Sequence, residues 1–246
     1  MREVALFNGC SFVWGDELKN PFESRFSKLL SDEVGLREVN LSICGASNDR
    51  IFRTTMDYLE THDAPELLII SWSGIDRFEY LDLVEKDVHD NYYLQCSPSR
   101  TTQTEFRKKR KTLENYILDI QTDYKRSIDT INYMASIQKI CELAGIKLLQ
   151  FQFAHRHRET YRNIQESIPK NDREIDFLDY YASKVEYLKE YSTYGLLNKH
   201  DLLSLSIGIG DVEVGRNYYG HPLEKSQVLF KNMMIQELVN HYDFGI

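Results

Sequence analysis

The run Leu67–Trp72 constrains the fold of this chain most, because its first four residues are all large and apolar. A strand without polar alternation is typical of a parallel sheet that helices cover on both faces. Further strands are predicted, in chain order, from Val4 to the break at Gly9, at Glu38–Ile43, at Ile146–Phe153 and, in a shorter form, at Leu202–Ile207. The sequence therefore predicts an α/β protein with a mostly parallel, five-stranded sheet.

Apolar residues recur at helical spacing between these strands. Helices are predicted over Phe22–Val34 with Gly35 as the C-cap, after a cap at Ser47, Asn48 or Asp49, over about thirty residues ending at Ala144, and after Pro222. Proline suits the first position of a helix, so His221 is expected at the cap of the last helix. From there its ring can lean over the ends of the strands.

Small residues follow three of the predicted strands. Ser11 follows the first strand, Gly45 the second and Ser73 the third. Because the carboxyl ends of parallel strands open onto one crevice, these three residues are expected at the same edge of the sheet. Ser11 would there be a hydroxyl held on rigid backbone, suited to nucleophilic attack. A plain N-cap for the next helix is the alternative role for a serine at this point.

The composition limits the classes of partner. The 246 residues carry a formal net charge of −8, so no overall positive field attracts nucleic acid. The run 107–111 is basic, but a solvated helix start explains such a cluster better than a phosphate site. No apolar run approaches the roughly 18 residues that span a bilayer, and no signal peptide is evident. We expect a soluble, cytoplasmic protein of one domain, with an insertion at about 81–111 and an irregular segment at about 159–200.

No cofactor or metal is expected. His155 and His157 could project to one side of a continued strand, but no acidic or cysteine ligand stands at a recognisable spacing from them. The glycines at 208, 210 and 215 do not have the spacing of a dinucleotide-binding loop. The four cysteines are scattered and are expected to be free thiols.

Three fragments together resemble the SGNH (GDSL-like) hydrolase family: Asn8–Ser11, Asn40–Asn48 and Gly220–Pro222. The resemblance implies a flavodoxin-like, three-layer α/β/α fold and cleavage of acyl or acetyl esters. By position, Ser11 matches the family's nucleophile, Gly45 a backbone donor to the oxyanion, and His221 the general base. The turns after the second and third strands resemble those of phage-encoded members, which implies action in a host cytoplasm.

Two positions depart from the family pattern. The turn after the third strand, Ser73–Asp76, lacks the usual asparagine that donates to the oxyanion, so Asn48 or Ser73 is expected to replace it. Where the family has an aspartate three residues before the histidine, this chain has Tyr218. The orienting carboxylate is then expected from another place, and the candidates are Asp211, Asp76 and Glu213. Without one, Ser11 and His221 would form a dyad.

These features favour a serine hydrolase acting on a small-molecule or glycan acyl ester. Arg50, Arg53 and Arg77 could bind an anionic group of the substrate, while Arg77 could instead pair with Glu79 or Asp76 as a structural clamp. The two departures also fit a binding or assembly protein that has lost activity on a hydrolase scaffold. A third alternative is an acyltransferase that uses the same serine. The sequence leaves the oligomeric state open, including a homo-oligomer.

Overall fold

A computed structural model describes residues 3–75, 77–81, 93–96, 123–152, 212–215 and 218–242. The strands are β1 (Val4–Asn8), β2 (Arg37–Asn40), β3 (Leu67–Trp72), β4 (Phe78–Leu81), β5 (Tyr93–Cys96), β6 (Lys147–Gln152), β7 (Val212–Gly215) and β8 (Tyr218–Pro222). The helices are α1 (Ser11–Trp14), α2 (Pro21–Ser24), α3 (Phe26–Glu33), α4 (Asn48–Thr61), α5 (Asp123–Ala144) and α6 (Glu224–Tyr242).

Four parallel strands form the main sheet in the order β2-β1-β3-β6. Every residue of β3 is buried, as expected of a strand covered on both faces. The predicted α/β fold with a parallel sheet is thus confirmed, and β3 has the predicted bounds. The strand predicted at Leu202–Ile207 lies outside the described residues.

Helices cover the two faces of this sheet. The rings of Phe7 in β1 and Phe151 in β6 contact Phe26 of α3, which in turn contacts Phe230 of α6. The next residue of β1, Asn8, bonds to α4, and Gln150 of β6 bonds to α5. Since neighbouring side chains of a strand point to opposite faces, α3 and α6 lie on one face and α4 and α5 on the other. The three-layer α/β/α arrangement is confirmed.

The helix predicted over Phe22–Val34 is wrong as a single element. It is broken at Arg25, whose backbone is extended at φ −69° and ψ 146°. The guanidinium of Arg25 makes two 2.9 Å bonds to the carboxylate of Glu38 in β2. A side chain from α6, Gln227, accepts the hydrogen bond of the Phe26 N–H at 2.9 Å. These tertiary bonds end α2 and start α3, which helical periodicity alone does not reveal.

The expectation for His221 is also corrected. His221 lies in β8, and α6 begins only at Glu224, so Pro222 is not the first residue of the helix. Strand β8 pairs antiparallel with β7, with Val212 opposite Pro222. Backbone pairing to β7 keeps this segment extended where the proline suggested a helix start.

A second antiparallel pair lies partly within the stretch predicted to be an insertion. Strand β4 pairs with β5, with Phe78 opposite Cys96. The remainder of the insertion at 81–111, the basic run 107–111, the segment 159–200, His155, His157 and the glycines 208 and 210 lie outside the described residues. The single-domain organisation stays a prediction. Within the described part of the chain, no helix is long and apolar enough to cross a bilayer.

Candidate active site

The carboxyl ends of β2, β1 and β3 bring the three predicted turn residues to one edge of the sheet. Ser11 opens α1 directly after β1, Gly45 follows β2, and Ser73 follows β3. All three strands are parallel, so their ends face the same crevice. This is the edge that the sequence predicted to carry the chemistry.

The turn that presents Ser11 is held by Asn8 at the end of β1. Its Oδ1 accepts the Gly9 N–H at 2.9 Å, and its Nδ2 donates to the Ile51 carbonyl at 3.0 Å and to two threonine hydroxyls of α4. Asn8 is fully buried, so these bonds are made away from water. They fix the backbone at Asn8 and Gly9, just before α1 begins at Ser11.

Asn40 holds the other end of α1. Its Nδ2 donates to the Val13 carbonyl at 3.1 Å and to Ser27 Oγ at 3.0 Å, and its Oδ1 accepts the Ser42 N–H at 3.0 Å. Helix α1 is therefore tied to β2 and α3 as well as to β1. A short helix of four residues has little stability of its own, so its position depends on these bonds.

Ser11 and His221 meet across 210 residues of sequence. The distance from Ser11 Oγ to His221 Nε2 is 2.7 Å, a good hydrogen bond. The serine is 4% exposed and the histidine side chain 15% exposed. The ring of Phe12 lies 5.4 Å from the imidazole, centroid to centroid, and packs beside it. This pair has the geometry of a hydroxyl nucleophile and its general base.

Glu17 contacts the opposite side of His221. Its Oε2 accepts the backbone N–H of His221 at 2.9 Å, and its Oε1 lies 3.2 Å from the ring Nδ1. This buried nitrogen has no hydrogen-bond partner within the described residues. The distance from Glu17 Oε1 is nevertheless within ion-pair reach.

The pKa of Glu17 reflects these contacts. Partial burial of the carboxyl acts to raise its pKa, but the backbone and ring of His221 act together to lower it, and the net shift is downward. The carboxylate is therefore held ionised beside the imidazole. Asp16 lies nearby on the other side of the ring, with Oδ2 3.7 Å from Nε2.

Sequence reasoning missed Glu17. The orienting carboxylate was predicted at Asp211, Asp76 or Glu213. Asp211 and Asp76 lie outside the described residues, and so does the side chain of Glu213. Glu17 is six residues after Ser11, and this spacing is not part of the motifs that single out Ser11 and His221. The available signal was the compact Gly-Asp-Glu turn at 15–17, directly after the nucleophile helix.

Asn48, expected to donate to the oxyanion, is occupied in other bonds. Its Oδ1 accepts the Ser73 N–H at 2.7 Å, while its Nδ2 donates to the Ser73 carbonyl at 3.1 Å and to Thr130 Oγ1 at 3.0 Å. Both amide hydrogens are thus used, and the side chain is buried. In this structure Asn48 positions the turn after β3 and links it to α5. The Ser73 hydroxyl in turn accepts a 2.9 Å bond from Arg77 Nη1.

The three arginines near the crevice have structural partners. Arg53 forms a two-bond pair with Glu79, at 3.0 and 2.7 Å, and Arg50 donates to the Leu41 carbonyl at 3.0 Å. Of the two carboxylates predicted to clamp Arg77, Glu79 is paired with Arg53, and Asp76 lies outside the described residues. These bonds give each guanidinium a role in the fold.

Backbone groups remain as donors for an oxyanion. The first N–H groups of a helix have no intrahelical acceptor, and Ser11 is the first residue of α1. Gly45 is half-buried and has a φ of 80°, a left-handed conformation that a glycine adopts without strain. The arrangement thus combines a hydroxyl, an imidazole, a carboxylate and a helix-start N–H. Within the described residues, no group of three potential ligands could hold a metal ion.

The comparisons with known proteins agree with this fold. Residues 22–243 match the family of unknown function DUF6071, a range that begins after Ser11 and Glu17. No curated protein matches the chain by sequence. The psychrotrophic esterase EstA from Pseudoalteromonas sp. superposes with a TM-score of 0.51 at 14% identity, covering 97% of each chain.

Two further solved structures are similar. TesA superposes with a TM-score of 0.51 at 14% identity, covering 96% of this chain and 98% of its own. A carbohydrate esterase superposes with a TM-score of 0.50 at 11% identity, covering 99% of this chain and 67% of its own. At such identities the likeness concerns the fold alone. The chain therefore belongs to the DUF6071 family, and its α/β fold is that of the SGNH hydrolases.

Proposed function

We propose that this protein is a serine esterase or deacylase that uses Ser11 as nucleophile and His221 as general base. The observation that carries the proposal is the 2.7 Å bond between Ser11 Oγ and His221 Nε2 at the carboxyl edge of the sheet. A nucleophile and a base within hydrogen-bond reach are the first geometric requirement for acyl transfer by a serine.

The reaction would proceed in two steps. The Ser11 hydroxyl gives its proton to His221 Nε2 while Oγ attacks the ester carbonyl carbon, and the imidazolium then protonates the departing alcohol. Water, deprotonated by the same nitrogen, next releases the acid from the acyl-enzyme. The backbone N–H groups of Ser11 and Gly45 are the proposed oxyanion donors, each worth about 3 kcal/mol in the transition state.

The proposed substrate class is an O-acyl or O-acetyl ester, on a small molecule or a glycan. The similar folds of the esterase EstA and of a carbohydrate esterase support this class without identifying a substrate. The turns after β2 and β3 support the phage-type assignment and a cytoplasmic site of action, which stay predictions. Ser11 is 4% exposed, so an ester must enter the crevice to reach it.

A binding protein without activity is the second candidate, and the bonding of Asn48 favours it. Asn48 Nδ2 already donates to the Ser73 carbonyl and to Thr130 Oγ1, so its amide offers no donor to an oxyanion. One strong donor fewer lowers turnover by about a hundredfold to a thousandfold. The active site of the similar carbohydrate esterase also displays divergent catalytic and non-catalytic binding functions.

Labelling and turnover separate the two candidates. We expect wild-type protein to hydrolyse p-nitrophenyl acetate and to react with a fluorophosphonate at Ser11, as located by peptide mass spectrometry. Ser11→Ala and His221→Ala should lose turnover by about a thousandfold or more. Ser24→Ala, at a serine of α2 whose hydroxyl donates to the Asn20 carbonyl, is the matched control. Equal turnover in wild type and Ser11→Ala would refute the proposal.

A further inference from the structure

We propose that Glu17 is the positioning residue that orients His221, in place of the carboxylate missing at Tyr218. This inference rests on the proposed function and adds a third member to its catalytic pair. The acid would come from the nucleophile's own turn rather than from the segment that carries the histidine.

Both oxygens of Glu17 engage His221, which makes the contact specific. Oε2 accepts the backbone N–H at 2.9 Å and fixes the position of the main chain, while Oε1 lies 3.2 Å from Nδ1 and sets the direction of the ring. Nδ1 is buried and has no hydrogen-bond partner within the described residues, and Glu17 Oε1 is the charged atom that the structure places beside it. With its proton on Nδ1 directed at Glu17, the imidazole presents the Nε2 lone pair to Ser11.

The backbone around Glu17 supports the same assignment. Glu17 has a φ of 69°, and no other described non-glycine residue has a positive φ. The turn that carries it is held by two bonds to the Ser11 carbonyl, from the N–H groups of Gly15 and Asp16, both 3.0 Å. A strained conformation persists only where surrounding contacts maintain it, and such residues cluster at functional sites. Here the strain aims the carboxylate at His221.

Asp16 does not compete for this role. Its Oδ2 lies 3.7 Å from Nε2, the nitrogen that faces Ser11, whereas an orienting acid must engage Nδ1. The charged groups that the structure places against His221 are Glu17 and Asp16, both from the turn after α1. In the reaction the serine proton moves to Nε2, and the Nδ1 proton stays on the ring, so Glu17 remains ionised throughout.

The decisive variant is Glu17→Gln, which can still accept the His221 N–H but lacks the charge. We expect kcat on p-nitrophenyl acetate to fall by about 10²- to 10⁴-fold with KM little changed, in line with losing the acid of a triad. Glu23→Gln, at an exposed glutamate of α2, is the matched control and should keep the plateau kcat. Asp16→Asn separates the two carboxylates near the ring and should lose less activity than Glu17→Gln.

A spectroscopic readout keeps the test independent of turnover. In the Ser11→Ala background, the Nδ1 proton of His221 should give a downfield NMR signal that Glu17→Gln shifts upfield or removes. A retained signal would overturn the role of Glu17. So would an unchanged plateau kcat in Glu17→Gln, or an equal loss in Asp16→Asn.

The outcomes also distinguish this inference from the proposed function. If Ser11→Ala abolishes turnover while Glu17→Gln does not, the esterase stands and the role of Glu17 fails. If the wild type shows no turnover on any acyl ester, the esterase fails. The NMR signal then still decides whether Glu17 orients the ring.

Discussion

Gly9 lies in the turn before Ser11, where the structure leaves little space for a side chain. A Cβ at this residue would lie 2.5 Å from Val13 Cγ2 and 3.1 Å from the Ser71 carbonyl oxygen. The turn between β1 and α1 is therefore packed so closely against Val13 and β3 that an added Cβ would force its neighbours to move. The requirement is for space, since Gly9 is not among the residues with positive φ.

We expect Gly9→Ala to destabilise the protein by about 1–3 kcal/mol, as overpacking does in a dense core. Displacement of α1 should also separate Ser11 from His221 and lower turnover. Gly35→Ala is the control, because Gly35 has a φ of 72° but nothing within 4 Å of its added Cβ. It should cost about 1 kcal/mol through backbone strain alone and leave turnover unchanged. Urea unfolding and p-nitrophenyl acetate hydrolysis measure the two effects, and a stable, fully active Gly9→Ala would contradict the crowding argument.

At the scale of elements, one side chain of α6 joins three parts of the fold. Gln227 Oε1 accepts the Phe26 N–H at the start of α3, and its Nε2 donates to the Pro222 carbonyl at 3.2 Å. Gln227 is fully buried. The residue thus caps one helix and holds the end of β8, one residue after His221.

Gln227→Leu should lower the free energy of unfolding by about 1–3 kcal/mol, because it leaves a buried N–H and a buried carbonyl without partners. The looser end of β8 should also reduce turnover. Gln236→Leu, at an exposed glutamine of the same helix, should change stability by no more than about 0.5 kcal/mol. Chemical denaturation of the three proteins gives the comparison. Equal stabilities for the two variants would show that the buried amide is not needed.

At the scale of the whole molecule, a half-buried polar cluster joins α4, β4 and α5. Asp49 Oδ2 accepts the Glu79 N–H at 3.1 Å, and its Oδ1 accepts the Tyr133 hydroxyl at 3.0 Å. Burial raises the pKa of Asp49, and the nearby charge of Glu79 adds to the rise, while the two hydrogen bonds oppose it without cancelling it. Folding therefore favours the protonated form of this carboxyl.

This shift predicts a pH-dependent contribution to stability. A carboxyl with a raised folded-state pKa contributes most at low pH, and the contribution is lost as pH rises through that pKa. Relative to wild type, Asp49→Asn should thus become progressively more favourable as pH increases from about 4. Urea unfolding at a series of pH values tests this, with Asp57→Asn as a control because Asp57 lies on the exposed side of α4. A difference from wild type that does not vary with pH would contradict the prediction.

Local sequence patterns were enough to predict the parallel sheet and the edge at which Ser11, Gly45 and Ser73 lie. An apolar run such as Leu67–Trp72 carries this information locally, because burial on both faces leaves a pattern in consecutive residues. It also singled out Ser11 and His221, which the fold brings within 2.7 Å. The break at Arg25, the strand conformation of His221 and the approach of Glu17 became visible only in the folded chain. Arg25 and Glu17 depend on partners in other elements, Glu38 and His221, while His221 is extended because β8 pairs with the neighbouring strand β7. Pairing between segments leaves no helical periodicity in the chain, so a periodic pattern could not reveal it.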